Sequence, residues 1–402
     1  MTCFLKHILA IKKNTSRRGA IIFFLKKKRK PSKTLLEIKQ DLKKKRAAAK
    51  VQLSADIALS KKDRLLIEEI RKKTEELNIN NVTRTKAYLD FYRHYPEIHW
   101  AFLGHMVSRN GGWNMTDLRG ELLCRLLSEQ TKKDFFAFLE RGNWLIFQDA
   151  YRQFLLYDVC MKRKQNLFYL LRYLNISVFM ETIWEHFWKC RNHYILTIGL
   201  VINEQSYLEK RIVQNPVYKD KVFYTVEFLL QELLSFNHIL FPFGGKTGKA
   251  ELAGQTLDHF GSLNERILLG KRLYKILFHD QAQLQNVIKW AYAHPHTGSR
   301  KDYWPHIFND LNEGLPGTGL KRRLKGCQLR KGAGRLYSPR LEFAWKNVNH
   351  PDAEPGDWFE DLNVVDYLEE QEENIDGGIT DEYCSTLEKL ELAALAKKAI
   401  YI

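Results

Sequence analysis

Ser-Val-Phe-Met-Glu-Thr-Ile-Trp-Glu-His-Phe-Trp (177–188) is the stretch that decides the fold class. Met180, Ile183, Trp184, Phe187 and Trp188 recur at i, i+3, i+4, i+7 and i+8, one face of an α-helix, and Ser177 opens it as a cap. A row of aromatic rings can stack bases, but rings at this spacing are first of all helical core. Outward from this helix the punctuation is uneven. Between residues 32 and 241 the only prolines are Pro96 and Pro216, whereas seven follow from Pro242 onward, with sixteen glycines after residue 243. The pattern predicts an all-α, irregular multi-helix globular bundle with long ordered loops in its C-terminal half.

The individual helices follow from their stops and starts. Thr34–Asn78 reads as one or two charged helices, interrupted near Ser54 or Ser60. Pro96 suits the first turn of a helix running to Arg109, with Asn110, Gly111 and Gly112 as its stop. Thr116 and Thr131 are candidate caps, and Gly142 a candidate break in a pattern reaching Gln165. Helices are expected over Arg191–Gln214 and Val217–Phe236, around Pro216, then over Leu263–Phe278 and Gln281–Ala293 after a loop at Phe241–Gly261. Ser338-Pro339 has the form of a helix start, and Ser385 with Glu388 that of a capping box.

The net charge of +17 is divided along the chain. Residues 1–50 hold 17 Lys and Arg against Glu37 and Asp41, and residues 352–391 hold 15 acids against Lys389. This suggests a basic arm at 1–50, a charged helical linker at 51–80, a main helical domain at 81–350 and an acidic segment at 351–402 ending in a helix. A self-repelling arm with few apolar residues is expected to stay largely unpacked. It seeks an anionic membrane surface or nucleic acid. No apolar run approaches the roughly 18 residues of a spanning helix. Ala20–Leu25 is too short for a signal-peptide core. The cysteines Cys3, Cys124, Cys160, Cys190, Cys327 and Cys384 are scattered, which reads as free thiols in a reducing cytoplasm, with the arm free to reach the inner membrane face.

The stretches Asn-Val-Thr-Arg-Thr-Lys-Ala-Tyr (81–88), His-Met-Val-Ser-Arg-Asn-Gly-Gly-Trp-Asn-Met-Thr-Asp-Leu (105–118), Phe-Pro-Phe-Gly (241–244) and His-Thr-Gly-Ser-Arg (296–300) resemble the YppC-like family of Bacillus and relatives. The resemblance covers roughly residues 80–350 and implies a bacterial cytosolic source. That family is catalogued as a domain of unknown function, so no catalytic role comes with it.

Function must then be sought among the residues. Gly245-Lys246-Thr247 has the end of a phosphate loop, but Leu240 stands where the motif needs glycine and the preceding segment reads as helix, so a plain turn is expected. His294, His296 and His306 lack the spacing of a ligand set, and neither a metal nor a cofactor is expected. Gly314–Arg335 holds Lys321, Arg322, Arg323, Lys325, Arg330, Lys331 and Arg335 among six glycines. It either binds an anion or pairs with the acidic segment. Glu204 and Glu227 stand on apolar helical faces, where a carboxylate needs a partner or a raised pKa. His105, Arg109, Asn110, Trp113 and Asn114 are the candidate partners, with Arg109 first because guanidinium suits a buried bidentate pair. Three functions remain: an adaptor docking on an anionic partner through its arm, a hydrolase-like enzyme with a carboxylate-lined cleft near Glu204, and a nucleic-acid-binding protein using 314–335.

Overall fold

The computed structural model describes residues 32–52, 59–219, 222, 237–244, 250–257, 259–313, 320–370, 375 and 377–400. Readings made on residues 1–31, on most of the expected helix Val217–Phe236 with its Glu227, on the turn at 245–249 and on the glycines at 314–319 lie outside these. The described chain is mostly helical. Its main helices are α1 (Lys33–Gln52), α2 (Lys61–Leu77), α3 (Asn81–His94), α4 (His99–Asp117), α5 (Glu129–Arg163), α6 (Val178–Cys190), α7 (His193–Leu208), α8 (Leu263–Phe278), α9 (Gln281–Ala293) and α10 (Thr380–Ile400). Among the described residues the strands form three two-stranded pieces. β1 (His238–Phe243) and β2 (Glu251–Thr256) are antiparallel, β3 (Phe308–Asn309) and β6 (Leu336–Tyr337) parallel, and β4 (Leu324–Lys325) and β5 (Gln328–Leu329) a small hairpin. No helix among the described residues is long and apolar enough to cross a membrane.

Local signals start the helices. Ser60, Ser128, Ser177, Asn192, Ser262 and Asp280 each accept a backbone N–H of the first turn, and Asn80 with Thr83 forms a reciprocal cap. The stripe of α6 is core: Met180, Ile183, Trp184 and Phe187 are buried, and the Trp184 indole donates to Gln153 Oε1 at 2.7 Å. α4 and α5 run through the bundle. α4 packs on α3, α5, α7 and β1, while α5 also touches α2, α3 and α7.

Several starts and stops differ from expectation. α4 does not end at Asn110-Gly111-Gly112 but continues to Asp117. The glycines serve close approach: a Cβ on Gly112 would lie 2.2 Å from Asn81 Oδ1 and 2.4 Å from His296 Nε2. α5 passes straight through Gly142. Ser338 caps no helix; its hydroxyl accepts the Arg300 backbone N–H, and the short helix Leu341–Ala344 begins later. Ser385 and Glu388 sit inside α10, which starts at Thr380. The expected loop at Phe241–Gly261 contains β2, where Gly254 (φ 151°) lets the Ile239 carbonyl approach to where a Cβ would stand.

The described part of the arm is packed, not free. Leu35, Ile38 and Leu42 join the same buried core that reaches Leu390. α1 lies on α6 and on the turn Leu362–Leu368. Lys45 bonds Glu181 at 2.7 Å and Glu185 at 2.8 Å, and Lys39 reaches Asp366 at 2.5 Å. A helix with one apolar stripe gains more from burial than its charges lose by approach, because acids on the neighbouring elements receive them.

The cysteine reading is corrected as well. Cys327 and Cys384 form a disulfide across 57 residues, tying the β4–β5 hairpin to α10. Cys124, Cys160 and Cys190 are free. Pairing over such a separation leaves no mark in spacing.

Candidate functional site

Five of the residues singled out above stand on α4, and their period places His105, Arg109 and Trp113 one turn apart on one face. The His105 ring lies 2.8 Å from the Thr85 carbonyl through Nδ1. A carbonyl only accepts, so that nitrogen carries the proton, and Nε2 is left to accept from Arg109 Nε at 3.0 Å. Burial first, then the Arg109 charge, pushes the His105 pKa well down and keeps the ring neutral. Arg109 spends Nη2 on the carbonyls of Ala291 and His294, and its guanidinium lies 4.8 Å from the Trp290 ring centroid. Burial lowers its pKa to about 10. Asn110 pins β1, donating to the Leu240 carbonyl at 2.9 Å and accepting the Leu240 N–H at 2.8 Å. Trp113 Nε1 reaches Asp302 Oδ2 at 3.4 Å. These side chains join α4 to the 291–302 segment and to β1.

Glu204 lies elsewhere. It stands on the wall of a partly open cavity of about 230 Å³ lined by α3, α4, α5, α7 and α8, with Ile239 of β1. It is not bonded to Arg109, His105 or Asn114. Its Oε1 accepts from Gln205 Nε2 at 2.8 Å. Of the α4 candidates only Asn114 lines the same cavity, and its Oδ1 is taken by Arg300 Nη2 at 3.2 Å. Glu204 is largely, though not completely, buried. Burial nonetheless raises its pKa to about 8; Gln205 opposes the rise, Asp149 adds to it, and Trp100 and Arg266 oppose it.

The walls are mainly apolar, with Trp100, Leu103, Phe138, Val201 and Leu269 among them. The polar groups are few and sharply divided. Arg84 holds Glu140 through Nη2 at 2.6 Å to each oxygen, and Arg266 holds Glu209 at 2.5 Å while its Nε donates to Gln205 Oε1 at 2.9 Å. Both cations thus have a carboxylate within the protein, although Arg84 Nε has no hydrogen-bond partner among the described residues. Tyr88 is buried, and its hydroxyl has no hydrogen-bond partner among the described residues. Burial first, and then Glu204, raises its pKa well above that of an ordinary phenol.

Sequence reading missed Arg84, Tyr88 and Arg266. A signal for the first two existed: Asn81, Arg84, Thr85 and Tyr88 recur at helical spacing on α3, and all four are buried. A polar face at core spacing marks an interior network. Asn81 is its hub, donating to the Ser108 carbonyl at 2.9 Å and bonded to His296 Nε2 at 2.8 Å.

The histidines 294, 296 and 306 do not converge as ligands: His294 Nδ1 bonds the Trp290 carbonyl, and His296 lies between Asn81 and Asp302. Among the described residues no group of three His, Cys, Asp or Glu side chains could hold a metal ion. In the basic stretch, Arg322 pairs with Glu388, Arg323 with Glu121 and Arg335 with Glu313. Lys321, Lys325, Arg330 and Lys331 are exposed and meet no carboxylate among the described residues. The acids that do engage β4–β5 come from α10: Glu391 accepts the Arg323 and Leu324 N–H groups, and Glu388 that of Gly326.

Comparison with known proteins adds a family and no activity. Residues 76–381 match the model described as "Protein of unknown function (DUF2515)". The chain is 41% identical over 239 residues to "Uncharacterized protein YppC" of Bacillus subtilis (strain 168), covering 60% of this chain and 73% of that one. No solved structure matches.

Proposed function

Because the chain belongs to the DUF2515 family of proteins of unknown function, we propose its role from the cavity: it is a binding protein for a small ligand with an apolar body and one polar head. One observation carries this reading. A mainly apolar cavity of about 230 Å³ is lined by Glu204 and by a buried Tyr88 hydroxyl that has no partner among the described residues. Native proteins pair their buried polar groups, and an unpaired hydroxyl on a cavity wall is what an incoming ligand atom would satisfy. An apolar cavity of about 150 Å³ is already enough to hold benzene. The hydrolytic alternative uses the same cavity with Glu204 as general acid, and it requires Glu227 as the second carboxylate.

Gly142 supplies the test. It lines the cavity within α5, and a Cβ there would meet only Leu208 Cδ2, at 3.9 Å. Gly142→Leu is therefore expected to fill the cavity without displacing backbone. It should stabilise the chain by about 1 kcal/mol through helix propensity alone. It should also abolish the thermal stabilisation that small aryl-alkyl compounds give the wild-type protein. Equal stabilisation of both proteins by the same compounds would refute the cavity as the site.

A second reading concerns the first 31 residues, which hold ten Lys and Arg and no acid. Charge of that density favours docking on an anionic partner, a membrane surface or a nucleic acid, with Lys321, Lys325, Arg330 and Lys331 as a further exposed basic group. Deleting residues 1–31 leaves α1 in place. The deletion is expected to remove most flotation with anionic vesicles or most of the mobility shift of duplex DNA. Unchanged binding to both would discard the arm.

A further inference from the structure

We infer that the polar head of the ligand is an amine, held as an ammonium ion by Glu204 beside Trp100 and Tyr88. The inference rests on the cavity reading above and narrows it to a substrate class. The buried ionic groups around the cavity fall into two kinds. Arg84 and Arg266 each have a carboxylate of their own, Glu140 and Glu209. Among the described residues Glu204 has only neutral donors, the Gln205 amide and the Trp100 indole, and no cation of its own. Among the described residues the wall therefore offers an anion without its counter-ion, while each cation on it already holds a carboxylate and only Arg84 Nε is left as an unpaired donor.

Asp149 is the other carboxylate of the neighbourhood. Its Oδ2 accepts from two amides, Asn203 at 2.6 Å and Gln153 at 2.7 Å, and it does not line the cavity. Burial raises its pKa to about 7. Among the described residues the groups facing Glu204 are thus Tyr88 from α3, Trp100 from α4, Asp149 from α5 and Arg266 from α8, and none of them brings a positive charge without a carboxylate of its own.

The rings complete the chemistry. Tyr88 and Trp100 stand edge to face with centroids 5.4 Å apart. A carboxylate flanked by Trp and Tyr rings is the composition that ammonium groups favour, combining charge with cation–π attraction. The remaining apolar wall takes a hydrocarbon or aryl body. The raised pKa of Glu204 fits the same account, since a carboxyl kept neutral for want of a counter-charge ionises when one arrives.

The experiment compares three probes of one shape on the full chain by calorimetry: phenethylamine, phenethyl alcohol and phenylpropionate. Near pH 9 the carboxyl of Glu204 is ionised while an alkylamine, at a pKa of about 10, is still mostly protonated. The amine is expected to bind about tenfold or more tighter than the alcohol, with the carboxylate weakest. Glu204→Gln should lower the affinity for the amine by about tenfold and leave that for the alcohol within about twofold. The alcohol binding as well as the amine, or the carboxylate best, would overturn the amine while leaving the cavity reading intact. Failure of all three to bind the wild-type chain would overturn both. The comparison among probes is made on wild-type protein, so it does not depend on how the variant folds.

Discussion

Arg300→Ala is expected to destabilise the protein by about 3–5 kcal/mol, a loss read from denaturant unfolding. The Arg300 guanidinium grips Asp117 at 2.8 and 2.9 Å through Nε, donates to the Tyr303 hydroxyl at 2.7 Å and to Asn114 Oδ1 at 3.2 Å, and lies 5.4 Å from the Tyr383 ring centroid. Its backbone N–H is held by Ser338. One side chain therefore ties α4, the 297–303 segment and α10 together. Burial works against its charge, but Asp117 and the two phenols more than compensate and raise its pKa above the usual value. Truncation would leave the Asp117 carboxylate without its counter-ion beside a cavity of about 60 Å³ that Tyr383 and His238 also line. The cost is that of an orphaned charge rather than of a lost attraction. Lys301→Ala is the control. Lys301 bonds Asp310 at 2.6 Å but keeps more than a third of its side chain exposed, so its loss should cost no more than about 1 kcal/mol. Similar costs for the two variants would mean that the Arg300 cluster is not a keystone.

What sequence could read here was local. The stripe at Met180–Trp188, the cap at Ser177 and the helices Leu263–Phe278 and Gln281–Ala293 all follow from periods and end signals within a few residues, whereas α5 is capped by Ser128 and not by Thr131. The misreadings have one physical source, the approach of distant chain. Asn110-Gly111-Gly112 carries the composition of a helix stop, but those glycines make room for Asn143, Asn81 and His296. Nothing near residue 112 announces a histidine 184 positions away. The same holds for Arg109, whose acceptors are the Ala291 and His294 carbonyls, and for Cys327 and Cys384. The type of each polar residue was legible. A guanidinium or carboxyl on an apolar helical face must be answered, and Arg109 and Glu204 both stand at the interior. Which group answers which is set by helix packing, and packing gave Arg109 carbonyls and left Glu204 facing a cavity.

Glu204→Gln separates a carboxylate kept for structure from one kept for binding. In the folded chain the Glu204 pKa is raised to about 8, whereas the unfolded chain titrates near the ordinary carboxylate value of 4.5. Between those values the folded state retains a proton that the unfolded state has released, so stability falls as pH rises through this window and levels off above it. A tenfold difference in proton affinity between the two states is worth about 1.4 kcal/mol, so the fall is of the order of a few kcal/mol. Glutamine mimics the protonated carboxyl and cannot ionise. The variant is therefore expected to match wild type near pH 4.5 and to exceed it by that margin near pH 9, in paired denaturant titrations. Asp149, raised to about 7, adds a slope of the same sign that the substitution leaves behind. A structural ion pair predicts the reverse: its carboxylate would stabilise at high pH, and glutamine would cost stability there. A variant less stable than wild type near pH 9 would therefore return Glu204 to the framework. A variant more stable there would mean that the empty protein carries a charge it is better folded without, the signature of a group retained for what it binds. Phenethylamine should then restore stability to the wild-type chain at high pH and do nothing for the variant, because the ligand supplies the counter-ion that the surrounding helices do not.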